Sequence, residues 1–165
     1  MREQLTKSDV EKIEAEIEHR KLVVRKEAIE AVKEARAHGD LSENFEYYAA
    51  KREKNSNESR IRYLERMLRT ASIVSDESKE DEVGINKLVE LYYEEDDETE
   101  QVKLVTSIRG NSLDGRISIE SPLGKAIRGH KAGDRVHVQV DDGFGYEVVI
   151  KAVHVSDDAD GIRGF

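Results

Sequence analysis

The sequence predicts an α+β protein in which a helical hairpin precedes a small β domain. Through residues 1–75, apolar and small side chains recur at steps of three, four and seven, as on the contact face of a coiled coil. After residue 84 the period becomes the alternation of β-strands. The segment 38–48 divides the helical part into two runs of similar length, so we expect an antiparallel coiled-coil hairpin.

The first helix is expected to run from Ser8 to His38. Ser8 and Glu11 have the spacing of a capping box, in which each side chain accepts a hydrogen bond from the other residue's backbone N–H. No glycine or proline interrupts the run before Gly39, so at ~1.5 Å per residue the helix is about 45 Å long. Its contact stripe comprises Val10, Ile13, Ile17, Val24, Ala28, Ala31 and Ala35.

The second helix is expected to run from about Ser42 to Ser75. Asp40 and Glu43 have the spacing of a capping box at its start. With Gly39 at the end of the first helix, this cap would complete a tight turn at the hairpin tip. The contact stripe of the second helix comprises Phe45, Ala49, Ser56, Tyr63, Met67, Ala71 and Val74, flanked by Leu64 and Leu68.

The predicted domains are the hairpin, 1–75, a polar linker, 76–84, and the β domain, 85–165. The β domain is predicted to be a small antiparallel sheet of about five strands, with one short helix after the chain's only proline. The last ten residues, 156–165, are expected to be frayed. The strand-like segments are 87–93, 101–108, 116–120, 135–140 and 146–155.

Composition and charge exclude several classes of protein. The chain has no cysteine, so disulfides and thiolate metal sites are excluded. Residues 1–75 carry 16 basic and 15 acidic side chains, whereas the remainder carries 11 and 21. This balance argues against independent binding of nucleic acid through bulk electrostatics. Without a signal peptide or a long apolar run, we expect a soluble cytoplasmic protein that has no membrane partner.

Catalysis by the chain alone is not expected. Its five histidines do not have the spacing of metal ligands. The sequence also contains no glycine-rich phosphate loop and no nucleophile elbow. A chemical role therefore requires that side chains act within another molecule.

Asp40 and Glu43 are the first candidates for such a role. They can serve as helix caps, as their spacing indicates, or they can hold a metal ion with their free carboxylate oxygens. Two carboxylates alone make a poor Mg²⁺ site, because this ion usually needs substrate phosphates and waters as well. The pair would therefore bind Mg²⁺ only inside an active site that supplies the remaining ligands.

Basic and aromatic residues flank the two acids. Cations can bind the phosphates of a single-stranded nucleic acid while rings stack on its bases. The same cations could instead pair with glutamates one turn away, and the tyrosines could pack against the first helix. The residues concerned are Arg36, Tyr47, Tyr48, Lys51, Arg52 and Lys54.

The run from His38 to Lys51 resembles the tip of the GreA/GreB family of bacterial transcript-cleavage factors, whose pattern is Gly-Asp-Leu-x-Glu-Asn-x-Glu-Tyr. Residues 117–127, continuing to Gly-Asp-Arg-Val at 133–136, resemble the family's C-terminal FKBP-like domain. The two matches stand in the family's order and span nearly the whole chain. The modest basic cluster makes the chain more similar to GreA than to GreB.

This resemblance implies a factor that binds RNA polymerase in its secondary channel and stimulates the polymerase's own cleavage of backtracked RNA. By resemblance, Asp40 and Glu43 hold a Mg²⁺ ion shared with the polymerase, and no cofactor is bound by the chain alone. The same resemblance implies that the factor is not itself an enzyme and acts as a monomer. The residues implied to contact polymerase or the nascent RNA 3′ end are Arg36, Tyr47, Lys51 and Arg52, and those implied to dock at the channel rim are Ser121 and Pro122.

Two alternatives stay open. A relative of the family could occupy the same channel and inhibit synthesis, although the intact acid pair argues for cleavage. An FKBP-like domain could also act as a prolyl isomerase or chaperone, which requires an aromatic lining around the bound proline. The chain has no tryptophan, and we expect its aromatic residues to be spread over strands and turns; they are Tyr92, Tyr93, Phe144 and Tyr146.

Overall fold

The structure is a computed structural model that describes residues 2–39 and 44–164. The chain divides into two compact units, the first built from Val10–Ala71 and the second from Glu3–Asp9 with Ser72–Gly164. The first unit is helical and the second contains the sheet, so the predicted α+β class is confirmed. Among the described residues, no helix is both long and apolar enough to cross a membrane.

The first unit consists of a continuous helix, apart from its first residues 7–9, and an antiparallel partner helix. The continuous helix consists of α1 (Lys7–His19), a π-turn (Arg20–Val24) and α2 (Arg25–Arg36). Its partner is α3 (Phe45–Thr70), which packs against α2. The antiparallel direction follows from side-chain hydrogen bonds, because Ala35 is bonded to Asn44 whereas Arg20 is bonded to Asn57.

The start of α1 differs from the prediction. Thr6 and Asp9 form the reciprocal cap: the Thr6 N–H donates to Asp9 Oδ2 at 2.9 Å, and the Asp9 N–H donates to Thr6 Oγ1 at 3.1 Å. The predicted box of Ser8 and Glu11 is wrong by two residues. A short strand, β1 (Gln4–Leu5), ends just before Thr6, so the chain enters the helix there.

The apolar stripe identifies only part of the helical contact surface. In the first helix Ile13, Ile17 and Ala35 are buried as predicted, but Ala31 is exposed. In α3 Met67 and the flanking Leu64 are buried as predicted. The first part of the predicted stripe is wrong, since Phe45 is 85% exposed. Polar side chains occupy part of the buried face, so an apolar pattern could not identify all of it. The buried residues of α3 are Asn57, Arg60, Ile61, Leu64 and Met67.

The second unit contains a five-stranded sheet with the spatial order β5-β4-β3-β7-β6. Its strands are β3 (Lys87–Tyr93), β4 (Glu98–Val105), β5 (Arg116–Ser118), β6 (Arg135–Asp141) and β7 (Phe144–Val155). Three of the four pairings are antiparallel as predicted, but β4 and β5 pair in parallel. The connection 106–115 makes this possible, because its two 3₁₀ turns carry the chain back before β5 begins.

Additional segments complete the second unit. The short strand β2 (Ser72–Ile73) pairs with β1 in parallel, and the predicted short helix is α4 (Pro122–Ile127), which contacts β6. Val83, in the predicted linker, is fully buried, and its N–H donates to the His130 carbonyl at 2.8 Å. The core is a cluster of aliphatic side chains from the sheet, α4 and this segment; they include Val89, Leu91, Leu104, Ile127, Val138, Val148 and Ile150.

The C-terminal segment, residues 156–164, is bound to the second unit. The Ser156 N–H donates to the Asn86 carbonyl at 3.0 Å, and the Arg163 N–H donates to the Ile108 carbonyl at 2.7 Å. Between these bonds, Asp160 accepts from Lys103 at 2.6 Å. The expectation that this segment is frayed is therefore wrong over its described length, because its carboxylates meet cations on the unit's surface.

Candidate functional site

The predicted metal-binding acids, Asp40 and Glu43, lie in the interval 40–43, outside the described residues. The structure instead describes the two helix ends that flank this interval. On one side α2 ends at Arg36 and Gly39 has φ +114°, a left-handed conformation that glycine adopts without strain. On the other side α3 begins after Asn44.

Asn44 joins the two helix ends. Its Oδ1 accepts a hydrogen bond from the Tyr47 N–H at 3.0 Å and thereby caps α3. Its Nδ2 donates to the Ala35 carbonyl at 2.7 Å, near the end of α2. One amide therefore holds both helix ends that bound the interval 40–43. Sequence reasoning assigned the cap to Asp40, although asparagine directly before a helical run is itself a preferred capping residue.

Three of the four predicted RNA-contact residues lie together beside this link. The Arg36 guanidinium carbon lies 5.7 Å from the centroid of the Tyr47 ring, and Lys51 Nζ lies 6.0 Å from it. A hydrogen bond from Arg36, aided by the charge of Lys51, lowers the pKa of the Tyr47 hydroxyl. The fourth residue, Arg52, is exposed on α3 and makes no described contact with this group.

Exposed aromatic surface adjoins the cations. The Tyr48 ring centroid lies 5.6 Å from that of Tyr47, and Tyr48 is 46% exposed. Phe45 lies one turn earlier on α3 and is more exposed still. Planar rings next to Arg36 and Lys51 provide the combination that binds single-stranded nucleic acid, with stacking on bases and cations on phosphates.

Polar contacts fix the alignment of the two helices of the hairpin. Glu16 Oε2 accepts hydrogen bonds from Arg20 and Arg60, both at 2.9 Å. Burial raises the pKa of Glu16, but these two guanidinium groups outweigh it and the net shift is downward. Nearer the tip, Arg25 forms a bidentate pair with Glu58 at 2.9 and 2.8 Å. The bonds between the two helices can form in only one register of the hairpin. They therefore fix the position of α2 relative to α3 near the tip.

Ser121 and Pro122 lie at the start of α4 in the second unit. Ser121 Oγ accepts from the Gly124 N–H at 3.0 Å and donates to the Ser118 carbonyl at 2.7 Å, so this side chain is the N-cap of α4. Pro122 is exposed in the first turn. Both residues line an open groove of about 930 Å³, which also contains Leu113, an apolar side chain that is 95% exposed.

The aromatic residues of the sheet are less dispersed than we expected. The ring centroids of Tyr93 and Tyr146 are 5.9 Å apart, and those of Phe144 and Tyr146 are 6.3 Å apart. Together they line a cavity of about 200 Å³ whose other walls are the acidic residues Glu95, Asp96 and Glu147. Tyr92 does not line this cavity, and its ring lies 5.0 Å from Lys151 Nζ.

Within residues 2–39 and 44–164, no group of three or more histidine, aspartate and glutamate side chains is arranged to hold a metal ion. A carboxylate pair supplied to another molecule's metal site would not form such a group. The described residues therefore provide the support of the tip, whereas the proposed ligands themselves lie in the interval 40–43.

Comparison with known proteins gives the same family over both units. A family model described as "Transcription elongation factor, N-terminal" matches residues 3–73, and one described as "Transcription elongation factor, GreA/GreB, C-term" matches residues 77–155. The first match includes the hairpin and the interval 40–43. The second includes the whole sheet and ends before the C-terminal segment.

Individual relatives are similar over nearly their full length. Transcription elongation factor GreA of Geobacillus kaustophilus is 43% identical over 92% of this chain and 94% of its own. The GreA of Macrococcus caseolyticus is 41% identical over 92% and 95%. Among solved structures, GreA factor homolog 1 (Gfh1) of Thermus thermophilus is 30% identical, covers 93% of this chain and 99% of its own, and has a TM-score of 0.43. The chain therefore belongs to the GreA/GreB family of transcription elongation factors.

Proposed function

We propose that this elongation factor binds RNA polymerase in its secondary channel and stimulates the polymerase's cleavage of backtracked nascent RNA. Family membership over both units supports the proposal. The structural observation that supports it most strongly is the arrangement of the hairpin tip. There Asn44 is hydrogen-bonded to both helix ends, next to Arg36, Tyr47 and Lys51. The factor acts as a cytoplasmic monomer and not as an enzyme in its own right.

In this proposal the tip brings two carboxylates to a catalytic centre that belongs to the polymerase. Asp40 and Glu43 are the residues that would hold a Mg²⁺ ion shared with the polymerase, and carboxylate oxygens are ligands that this ion prefers. A Mg²⁺ ion bound there would activate a water molecule and stabilise the negative charge that develops on the phosphodiester. Arg36 and Lys51 offer positive charge to the RNA phosphates, and Tyr47 offers a ring to the bases at the 3′ end.

The decisive experiment adds the purified factor to halted, backtracked transcription complexes and measures RNA length. We expect the double variant Asp40→Asn, Glu43→Gln to bind polymerase as tightly as the unaltered chain while RNA shortening is lost. The control is Glu27→Gln, Glu53→Gln, which removes two exposed negative charges elsewhere on the hairpin. Normal cleavage by the first variant would exclude the proposed metal role.

The same assay separates cleavage from inhibition. A cleavage factor shortens the RNA and lets synthesis resume, whereas an inhibitor leaves RNA length unchanged and slows nucleotide addition. Both outcomes require binding, so polymerase binding is measured in parallel by labelling the factor. Slower nucleotide addition without RNA shortening would favour the inhibitory alternative.

Docking through the second unit is proposed for the groove that contains Ser121 and Pro122. Ser121 also caps α4, so its substitution would disturb the helix as well as the surface. Leu113 gives a cleaner test, because this groove residue is almost fully exposed and its replacement costs little packing. We propose that Leu113→Ser weakens polymerase binding; unchanged binding would place the docking surface elsewhere.

The aromatic cavity keeps the isomerase alternative testable. Tyr93, Phe144 and Tyr146 provide part of the lining that a bound proline requires, but the remaining walls are acidic. A peptide isomerisation assay with the full chain and with Tyr146→Ala tests whether the second unit has prolyl isomerase activity. Activity that is lost in Tyr146→Ala would establish a second function, and no activity in either protein would exclude it.

A further inference from the structure

The C-terminal segment, residues 156–164, covers a group of three cations on the second unit. Asp160 Oδ2 lies 2.6 Å from Lys103 Nζ and 3.5 Å from Arg109 Nη1, and Asp160 Oδ1 lies 3.9 Å from Arg116 Nε. Asp157 adds a second carboxylate, whose Oδ1 lies 3.5 Å from Lys103 Nζ. This three-cation site therefore contains its anionic partner in the same chain.

The three-cation site is built into the fold. Arg109 is fully buried and Lys103 is 8% exposed, so neither cation is a mobile surface side chain. Arg116 is held in place by its own hydrogen bond, since its Nε donates to the Arg109 carbonyl at 2.9 Å. Guanidinium and ammonium groups fixed in this way match the geometry of a carboxylate ligand.

Opposite charge within the rest of the unit compensates the site only in part. Asp9 pairs with Arg109 at 2.7 Å, and Asp114 pairs with Arg116 at 3.2 Å. For Lys103, by contrast, the described ion pairs are with Asp157 and Asp160. Among the residues that the structure describes, three cations thus face two carboxylates before the C-terminal segment is counted, and the ion pairs of the buried Lys103 are with that segment.

One buried donor at the site has no partner among the described residues. Arg109 Nη2 is inaccessible to solvent and makes no hydrogen bond with the described residues, although its Nε and Nη1 face Asp9 and Asp160. A buried donor without an acceptor costs free energy, so the carboxylates around Arg109 do not satisfy its guanidinium completely. Arg109 therefore has one hydrogen-bonding position that the C-terminal segment leaves unused.

The C-terminal segment is attached to the second unit by few backbone hydrogen bonds, as a bound peptide would be. It has no regular secondary structure, and the described hydrogen bonds of its backbone to the rest of the unit are made near its two ends, by Ser156 and Arg163. Residues 157–159 between them are exposed. The family match ends at residue 155, so the sheet that carries the cations lies within the matched region and the segment lies outside it.

We infer that Lys103, Arg109 and Arg116 form a carboxylate-binding site whose resident ligand is the C-terminal segment, and that an acidic peptide supplied in trans binds there when the resident carboxylate is removed. The ligand class is a short peptide with aspartates at the spacing of Asp157 and Asp160. Because a tethered ligand has a high effective concentration, the unaltered chain should exclude the same peptide in trans.

The test uses a fluorescent peptide with the sequence of residues 156–164 and measures its anisotropy against full-length protein. We expect Asp160→Asn to bind this peptide at least tenfold more tightly than the unaltered chain does. The matched control is Asp142→Asn, which removes one exposed carboxylate in the turn before β7 and should bind as weakly as the unaltered chain. Adding Arg116→Gln to Asp160→Asn should abolish the gain.

Melting temperatures provide a second measurement, which shows whether the C-terminal segment acts as a ligand or only stabilises the fold. Asp160→Asn should lower the melting temperature, and the peptide in trans should restore part of the loss, while a peptide carrying asparagine at the position of Asp160 should not. If Asp160→Asn does not fold, Arg163→Pro loosens the segment by removing its N–H donor to Ile108 and should also increase peptide binding. Equal peptide binding by folded variants and the unaltered chain, or destabilisation without rescue, would overturn the inference.

Discussion

Asp9 and Arg109 form an ion pair in which both side chains are fully buried and the Oδ1–Nε distance is 2.7 Å. Asp9 Oδ2 also accepts a hydrogen bond from Thr106 at 2.7 Å and one from the Thr6 N–H at 2.9 Å. A buried carboxylate with this many donors is well compensated, but its removal leaves a guanidinium without its nearest anion. One residue thus serves as helix cap and as counter-ion.

We expect Asp9→Asn to lower the free energy of unfolding by about 3–5 kcal/mol, because it removes the nearest counter-ion of the fully buried Arg109. Urea unfolding measures the change. Glu30→Gln is the control, since Glu30 lies 3.8 Å from Lys33 and both side chains are mostly exposed. The control should change stability by less than about 1 kcal/mol, and a similar small effect for Asp9→Asn would contradict the importance of the buried pair.

The Tyr47 hydroxyl at the tip is influenced by two neighbouring cations, Arg36 and Lys51. The hydrogen bond from Arg36 lowers the pKa of the Tyr47 hydroxyl, and the charge of Lys51 acts in the same direction. A tyrosine whose anionic form is stabilised by neighbouring cations reports directly on the charge at this position.

In a spectrophotometric titration of tyrosinate, Arg36→Gln should therefore move one of the six tyrosines to a higher pKa. Arg52→Gln removes the same charge from the exposed face of α3, where it makes no described contact with Tyr47, and should leave the curve unchanged. Equal shifts in the two variants would mean that general charge, and not the hydrogen bond from Arg36, controls Tyr47.

At the scale of elements, the π-turn and α3 are joined through Asn57. The Arg20 carbonyl accepts the Arg25 N–H across the π-turn and also accepts Asn57 Nδ2 at 3.2 Å. Asn57 Oδ1 in turn accepts from Arg20 Nη1 at 3.0 Å. This buried asparagine satisfies both the backbone and the side chain of Arg20, so it favours one register of the hairpin.

Replacing Asn57 with alanine should lower the free energy of unfolding by about 1–3 kcal/mol, because buried polar partners lose their hydrogen bonds. Helix unfolding followed by circular dichroism at 222 nm gives the measurement. Asn55→Ala, two residues earlier on the exposed face of α3, supplies the matched control and should have little effect. Alanine is the better helix former, so helix propensity cannot account for a loss of stability. If the two variants change stability equally, the bridge from Asn57 to Arg20 does not contribute as proposed.

At the scale of the whole molecule, each unit contains a carboxylate whose pKa lies below its ordinary value. For Glu16 in the first unit, burial acts upward but is outweighed by hydrogen bonds from Arg60 and Arg20. For Asp160 in the second, burial is likewise outweighed by the hydrogen bond from Lys103 and by nearby guanidinium charges. A lowered carboxylate pKa in the folded state stabilises the protein above the unfolded pKa and loses that contribution as the pH falls through the folded pKa.

We therefore expect stability to decrease as the pH falls below about 4.3, the ordinary pKa of glutamate. Glu16→Gln should be less stable than the unaltered chain near neutral pH and should lose less on acidification, because it cannot take up the same proton. Glu14→Gln, an exposed change on the same helix, should retain the original pH dependence. Melting temperatures measured across the acid range would contradict the assignment if the Glu16 variant declined as steeply as the control.

Local patterns in the sequence were sufficient for the fold class and the family. The change from helical to alternating periodicity, together with the segment 38–48, separates a hairpin from a sheet without any knowledge of distant contacts. The residues of the tip identified the GreA/GreB family, and the family matches confirm it. Such features are readable because each depends on neighbours a few residues apart.

Contacts between distant residues were decided only in the tertiary structure. Asn57 and Arg60 are buried in the hairpin because partners some forty positions away satisfy them, so an apolar pattern could not locate that face. Asn44 reaches back to Ala35, and Asp160 reaches Lys103, which no spacing rule would pair. Periodicity reports where apolar side chains fall along the chain, whereas the burial of polar and charged groups depends on which partners the fold brings to them.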